Sequence, residues 1–225
     1  MDHCTETIVL LHGIGRTPRS LSSMEKRLKA AGLQTLNLAY PWRKMDVPHL
    51  AAFLVDALET RGLCSESNRL HFVTHSMGGL VTAYMLGRLR ARFQANSIGR
   101  VVMLGPPLQG SEVADTLMQL APYRWLYGPA GQDLRTSSTV LDGITPDYPL
   151  GIIAGTMGWP YLTGLLIKGS HDGRVSVEHT RWLGMTDHLI LPVMHSVMQN
   201  DREVQSQVLQ FIQTGAFKIT KRSEI

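Results

Sequence analysis

The chain has 225 residues, 44% of them apolar, and a formal net charge of +4. That is the length of one ordinary domain with a sizeable core, and no stretch approaches the ~18 consecutive apolar residues of a membrane span. Lys and Arg are scattered apart from Arg88, Arg90 and Arg92 and the tail Lys218, Lys221 and Arg222, so no nucleic-acid partner is expected and at most a transient contact with a membrane surface. MDHCTETIVLLHG lacks the basic region and small-residue cleavage site of a secretion signal, which predicts a cytoplasmic protein. Cys4 and Cys64 form neither a disulfide framework nor a metal-ligand pattern.

In chain order, residues 7–11 (TIVLL) read as a buried strand stopped by His12-Gly13. Ser22-Ser23-Met24-Glu25 fits a capping box for a helix with Leu21, Met24 and Leu28 on one face and Gly32 as its stop. QTLNLAY (34–40) is a second strand, ended by Pro41. A second helix starts near Asp46 and tolerates Pro48 in its first turn. It sets Leu50, Phe53, Leu54, Ala57 and Leu58 on one face and closes at Gly62.

LHFVT (70–74) predicts the third strand, and the segment to Arg92 the third helix, apolar nearly all round where it begins. RVVMLG (100–105), LGIIAGT (150–156) and HLILPVM (188–194) are strands four to six. A last helix follows, capped by Asn200 or Asp201, with Val204, Val208, Phe211 and Ile212 inward and Gly215 at its end.

Strands alternating with helices predict an α/β domain over 1–225: a mostly parallel sheet of about six strands with helices on both faces. The rhythm breaks once, at 106–149, too long for an ordinary connection. Its Leu117, Met118, Leu120, Tyr123, Trp125, Leu126 and Tyr127 argue against disorder.

In an open parallel sheet the reactive ground lies beyond the C-terminal ends of the strands. Ser76 stands there, in THSMGG, on a strand-to-helix turn where Gly78 and Gly79 allow close packing. Such a turn pushes the hydroxyl outward, beside a helix N-terminus that favours negative charge. An alcohol becomes a useful nucleophile only when a base takes its proton and a carboxylate orients that base. Asp172 follows the fifth strand in SHDGRVS, and His195 follows the sixth in LPVMHSVMQ. The order Ser76, Asp172, His195 is the one this architecture uses. LHGIGR, at the end of the first strand, can direct the Ile14 N–H to the same spot as the Met77 N–H, two donors for an oxyanion. Of the other histidines, His75 reads as a packing residue and His12 as a brace for the oxyanion turn. His71 and His188 read as hydrogen-bonded strand residues, and His3, His49, His171 and His179 as solvent-exposed.

HGIGR, THSMGG, GPPLQGSEVAD, HDGRVSVEHT and the closing HS before a helix occur in this order between about Ile8 and Phe211. The chain thereby resembles the α/β-hydrolase superfamily, and within it the bacterial lipase and esterase group. The resemblance implies Ser76, Asp172 and His195 as a catalytic triad, Ile14 and Met77 as the oxyanion hole, and a cap or lid insertion at about 106–149 after the fourth strand. Departures are visible. Thr74 replaces the first glycine of G-x-S-x-G, adding bulk beside Gly78 that would open the elbow. Leu108 replaces the histidine of the family's P-H-x-G-S turn. SVMQN after His195 lacks the aspartate through which secreted members hold calcium, so no metal and no cofactor is expected.

The apolar insertion, with GWPYLTGLLI (158–167), predicts a cleft for an acyl group lined by Leu117, Trp125, Leu126, Tyr127 and Trp159. The expected activity is hydrolysis of a carboxylic ester, small or lipid, through an acyl-enzyme on Ser76, with no obligate protein partner. Acyl transfer or amide hydrolysis by the same triad and a silent binding protein on this fold are the alternatives.

Overall fold

The computed structural model describes residues 5–158 and 167–218; Trp159 lies outside the described residues. Six strands form one parallel sheet: β1 (Thr5–Leu11), β2 (Gln34–Leu38), β3 (Asn68–His75), β4 (Ile98–Leu104), β5 (Leu150–Gly155) and β6 (Asp187–Leu191). Their spatial order is β2-β1-β3-β4-β5-β6. The chain steps from β1 outward to β2, returns to the other side of β1 as β3, and then adds strands one by one. The winding direction therefore reverses around β1 and β3, where an open α/β sheet offers a crevice at its C-terminal edge.

Side chains alternate across the sheet and meet helices on both faces. Ile8, Leu10, Val73, Val102, Leu104 and Ile153 pack with α1 (Ser22–Ala30) and α7 (Arg202–Thr214). Val9, Leu11, Phe72, Val101, Met103 and Ile152 face α2 (Val47–Glu59) and α3 (Met77–Arg88). Nearly all of α3 is buried, as its apolar start requires. Asp201 caps α7 by accepting from the Glu203 and Val204 N–H groups, and Gly215 ends it at φ 84.

Several local expectations are corrected. No capping box forms: a 3₁₀ turn over Pro18–Leu21 runs into α1, and Ser22 is already helical. The Glu25 carboxylate is drawn instead to Lys29 and to Asn37 on β2. In α2 the inward face carries Val47, Ala51 and Val55 beside Leu50, Leu54 and Leu58, while Phe53 is exposed. The third helix stops at Arg88, with a separate 3₁₀ turn over Arg90–Arg92.

Residues 106–149 fold into α4 (Glu112–Leu117), α5 (Ala121–Tyr127), α6 (Ala130–Asp133) and connecting turns. Leu108, Leu134, Leu141, Ile144 and Tyr148 from this segment join the core on the α2–α3 face. The Asp133 carboxylate accepts the first N–H of α2, from Val47, at 2.8 Å.

Candidate active site

The turn between β3 and α3 bends at a single residue. Ser76 has φ 54 and ψ −125, a conformation that costs a non-glycine residue of order 1–3 kcal/mol and persists only where the surroundings enforce it. Here they do. The Ser76 N–H donates to the Leu104 carbonyl of β4, continuing the sheet one residue past the strand. A Cβ on Gly78 would stand 2.6 Å from the Leu11 carbonyl oxygen and 2.8 Å from that of His12, so α3 seats directly on the end of β1. Gly79 likewise faces Pro106, and Thr74 Oγ1 lies 3.4 Å from where its Cβ would be. Thr74 thus abuts Gly79, and the sharp elbow is retained without the missing glycine.

Ser76, Asp172 and His195, 96 and 23 residues apart along the chain, meet at this edge. Ser76 Oγ–H is 2.9 Å from His195 Nε2. The opposite ring nitrogen, Nδ1–H, donates to Asp172 Oδ2 at 2.7 Å. Asp172 Oδ1 accepts from the Arg174 and Val175 N–H groups, each at 2.9 Å, and the His195 N–H donates to the Asp172 carbonyl. Both side chains are almost wholly buried. Burial opposes charge on Asp172, but His195 and the Val175 and Arg174 N–H groups outweigh it and hold the carboxyl below its ordinary range. The ring is therefore held in the tautomer that leaves Nε2 free to accept from the serine.

Two glycines that sequence reasoning left without a role make this contact possible. A Cβ on Gly105 (φ 53) would meet Asp172 Oδ2 at 2.9 Å and His195 Nδ1 at 3.0 Å; one on Gly155 would meet Asp172 Cβ at 2.7 Å. Gly105 opens the GPPLQGS motif, which was its one signal in the sequence. Ser111, in the same motif, donates to the Arg174 carbonyl at 2.6 Å and ties α4 to the Asp172 turn.

The β1 turn lies against the serine. Gly13 is so close that its Cβ would stand 3.0 Å from Ser76 Cβ, and Ile14 borders the same cleft as Ser76 and His195. Met77 is the first residue of α3, so its N–H has no helical carbonyl to donate to. The turn is braced from behind. Tyr40 stacks on His12 with ring centroids 4.4 Å apart, and its hydroxyl donates to the His12 carbonyl. His12 Nδ1–H in turn donates to the Gly13 carbonyl at 3.0 Å.

His75 is buried, its ring tilted against that of His195 at 4.9 Å, and its Nε2–H donates to the His195 carbonyl at 2.9 Å. Burial first, and His195 second, push its pKa down to about 3. His71 accepts the Arg100 N–H, and His188 bonds the Thr180 hydroxyl. His171 and His179, expected to be exposed, are half-buried: His171 Nδ1 accepts the Gly173 N–H, and His179 faces Glu112 of α4 at 3.3 Å.

Beside Ser76 lies a cleft of about 500 Å³, including its part open to solvent, walled by Val113, Leu117, Met118, Tyr127, Leu134 and Val175. Leu117 and Tyr127 line this cleft; Trp125 and Leu126 do not. They are 75% and 42% exposed, and Trp125 lies under the Arg43 guanidinium at 4.4 Å. Adjacent residues of a helix point about 100° apart, so α5 turns Tyr127 to the cleft and these two away.

The profile of the alpha/beta hydrolase family matches residues 8–216, and the chain belongs to that family. No curated protein matches it by sequence. Among solved structures it is similar to the mature Bacillus licheniformis lipase BlEst2, with 18% identity, 93% of each chain covered and a TM-score of 0.69. The metagenomic carboxyl esterase MGS0156 has 13% identity over 94% of this chain and 76% of its own, at a TM-score of 0.65. Phospholipase PlaB from Legionella pneumophila has 15% identity over 79% of this chain, at a TM-score of 0.59, and the shared part is 46% of PlaB. At these identities the likeness is one of fold. Among the described residues no helix is long and apolar enough to cross a membrane.

Proposed function

We propose that this hydrolase cleaves carboxylic esters with an apolar acyl group through an acyl-enzyme on Ser76. The observation that carries the reading is the unbroken chain of contacts from Asp172 through His195 to the Ser76 hydroxyl, at 2.7 and 2.9 Å. His195 Nε2 takes the Oγ proton as Oγ bonds the ester carbonyl carbon. The charged ring is stabilised by Asp172, and the oxyanion by the Ile14 and Met77 N–H groups. When the intermediate collapses, the ester C–O bond breaks and His195 gives its proton to the departing alcohol. Water then attacks the acyl carbonyl, His195 accepts its proton, and the acid leaves as Ser76 recovers its own. The apolar wall of Val113, Leu117 and Met118 supports an apolar acyl group, as do the lipase and esterase names of the structural relatives.

The test is labelling with a fluorophosphonate, followed by turnover of p-nitrophenyl esters of increasing chain length. Ser76→Ala should abolish labelling and lower kcat by ~10⁴ to 10⁶; a variant keeping a tenth of the activity would refute the assignment. Labelling without ester turnover would move the reading to amide hydrolysis or acyl transfer.

A further inference from the structure

A second cleft meets the first at Ser76. Beside Ser76 and His195 it is lined by Ile14, Arg16, His75, Arg174 and Ser196, so it shares the reacting serine and histidine but has mostly polar walls. Two arginines line it, Arg16 from the β1 turn and Arg174 from the Asp172 turn, the latter where the two clefts meet. Neither has a side-chain hydrogen bond or ion pair among the described residues. Among the described residues no carboxylate lines either of these two clefts. The His75 Nε2–H is committed to the His195 carbonyl, which leaves Nδ1 a buried lone pair with no donor, 3.2 Å from where a Gly13 Cβ would stand. Arg16 lies close enough that its field, after burial and the His195 charge, adds to the forces keeping the His75 ring neutral. His75 therefore adds no charge to the cleft, and Arg16 and Arg174 are its fixed cations.

We infer that the polar cleft receives an anionic group on the alcohol side of the substrate, so that the preferred substrate is an acyl ester whose leaving alcohol carries a negative charge. This rests on the serine-hydrolase reading above. The acyl chain belongs in the apolar cleft, where burial gains the most; the alcohol must then lie on the other side of Ser76, within reach of the His195 proton. Guanidinium is the natural partner for a carboxylate, sulfonate or phosphate there. Its donors form a planar fork matching two oxygens, and it stays charged at any working pH. Unpaired arginines beside a reacting atom also raise the local concentration of an anionic substrate.

The test compares ortho-nitrophenyl butyrate with the same ester carrying a ring carboxylate. For the wild-type enzyme, kcat/KM for the anionic ester should exceed that for the neutral one by about tenfold, shrinking at high salt. In the double variant Arg16→Gln, Arg174→Gln the ratio should fall toward one, and Arg→Lys at both positions should restore part of it. A wild-type ratio near one, or a ratio the double variant leaves unchanged, overturns the inference.

Calorimetry on Ser76→Ala gives a readout that needs no turnover: the anionic ester should bind about tenfold more tightly, and only while the arginines are present. If the wild type turns over neither ester while this preference persists, the hydrolase reading fails and the subsite stands. If both esters turn over equally and bind equally, the subsite fails and the hydrolase reading stands. A lysophosphatidate, offered dispersed or in phosphatidylcholine vesicles against an uncharged monoacylglycerol, separates a soluble alcohol from a lipid headgroup. Preference in either form supports the subsite, and preference in neither counts against it.

Discussion

His75 shows how much a single side chain can be set by its neighbours. It is the last residue of β3, touches the His195 ring and carbonyl, and is held neutral because burial and His195 both oppose its charge. Its pKa falls from 6.5 to about 3. Between those values the unfolded chain binds a proton that the folded one does not, so stability rises with pH there and is complete above 6.5. His188, pushed down to about 4 chiefly by burial, acts in the same direction. The Asp172 contribution, by contrast, is present above the ordinary carboxylate range and is lost only as pH falls below it. Cooling of Tm on going from about pH 7 to about pH 4.5 should therefore be smaller in His75→Gln, by about 4 °C. Glutamine keeps an N–H for the His195 carbonyl but does not titrate; parallel Tm–pH curves would sink the explanation. At this scale the sequence was legible where chemistry names a residue, as for Ser76, Asp172 and His195. It was silent on Arg16 and Arg174, whose side chains have no partner among the described residues, a property of the folded surroundings.

At the scale of elements, the strand–turn–helix unit from β3 to α3 could be read because every local feature agrees: a buried run, a small-residue turn and an apolar helix. Its strain is held by backbone packing, which predicts a sensitive position. Gly78→Ala places a methyl against two carbonyl groups that cannot rotate away, and should cost ~1–3 kcal/mol in urea denaturation while displacing Ser76. Asp201→Ala removes two cap bonds from α7 and should cost ~1 kcal/mol with ester turnover retained. Equal activity losses in the two variants would contradict the special role of the elbow. The failures also sit at this scale. Ser22–Glu25 has the letters of a capping box, yet Asn37 on a neighbouring strand captures Glu25. Phe53 has helical spacing, yet α2 is rotated to bury Val47, Ala51 and Val55. A helix's rotation about its axis depends on what it packs against, and no window of sequence contains that.

Across the whole molecule, the candidate site draws on the ends of β1, β3, β5 and β6, and residues 106–149 supply the apolar wall. Leu117 lines the cleft and Trp125 does not, although both are apolar residues of one segment. Leu117→Ala should raise KM for an apolar ester about fivefold, since a buried leucine contributes on the order of a kcal/mol or more. Trp125→Ala should leave KM within about twofold and stability within ~1 kcal/mol, because its pairing with Arg43 is exposed. An acyl-chain series measured on both variants decides this.

Read alone, the sequence determined the alternation of strands and helices, the parallel sheet, and which alcohol, imidazole and carboxylate stand at strand ends. These follow from periodicity and turn chemistry, which act over a few residues. Only the tertiary structure decided the order of strands, the closing of Gly105 over the Asp172–His195 pair, the outward turn of Trp125, and the meeting of an apolar and an arginine-lined cleft at one serine. Those facts depend on groups far apart in the chain sharing a few ångströms of space, and that information exists only once the core has packed.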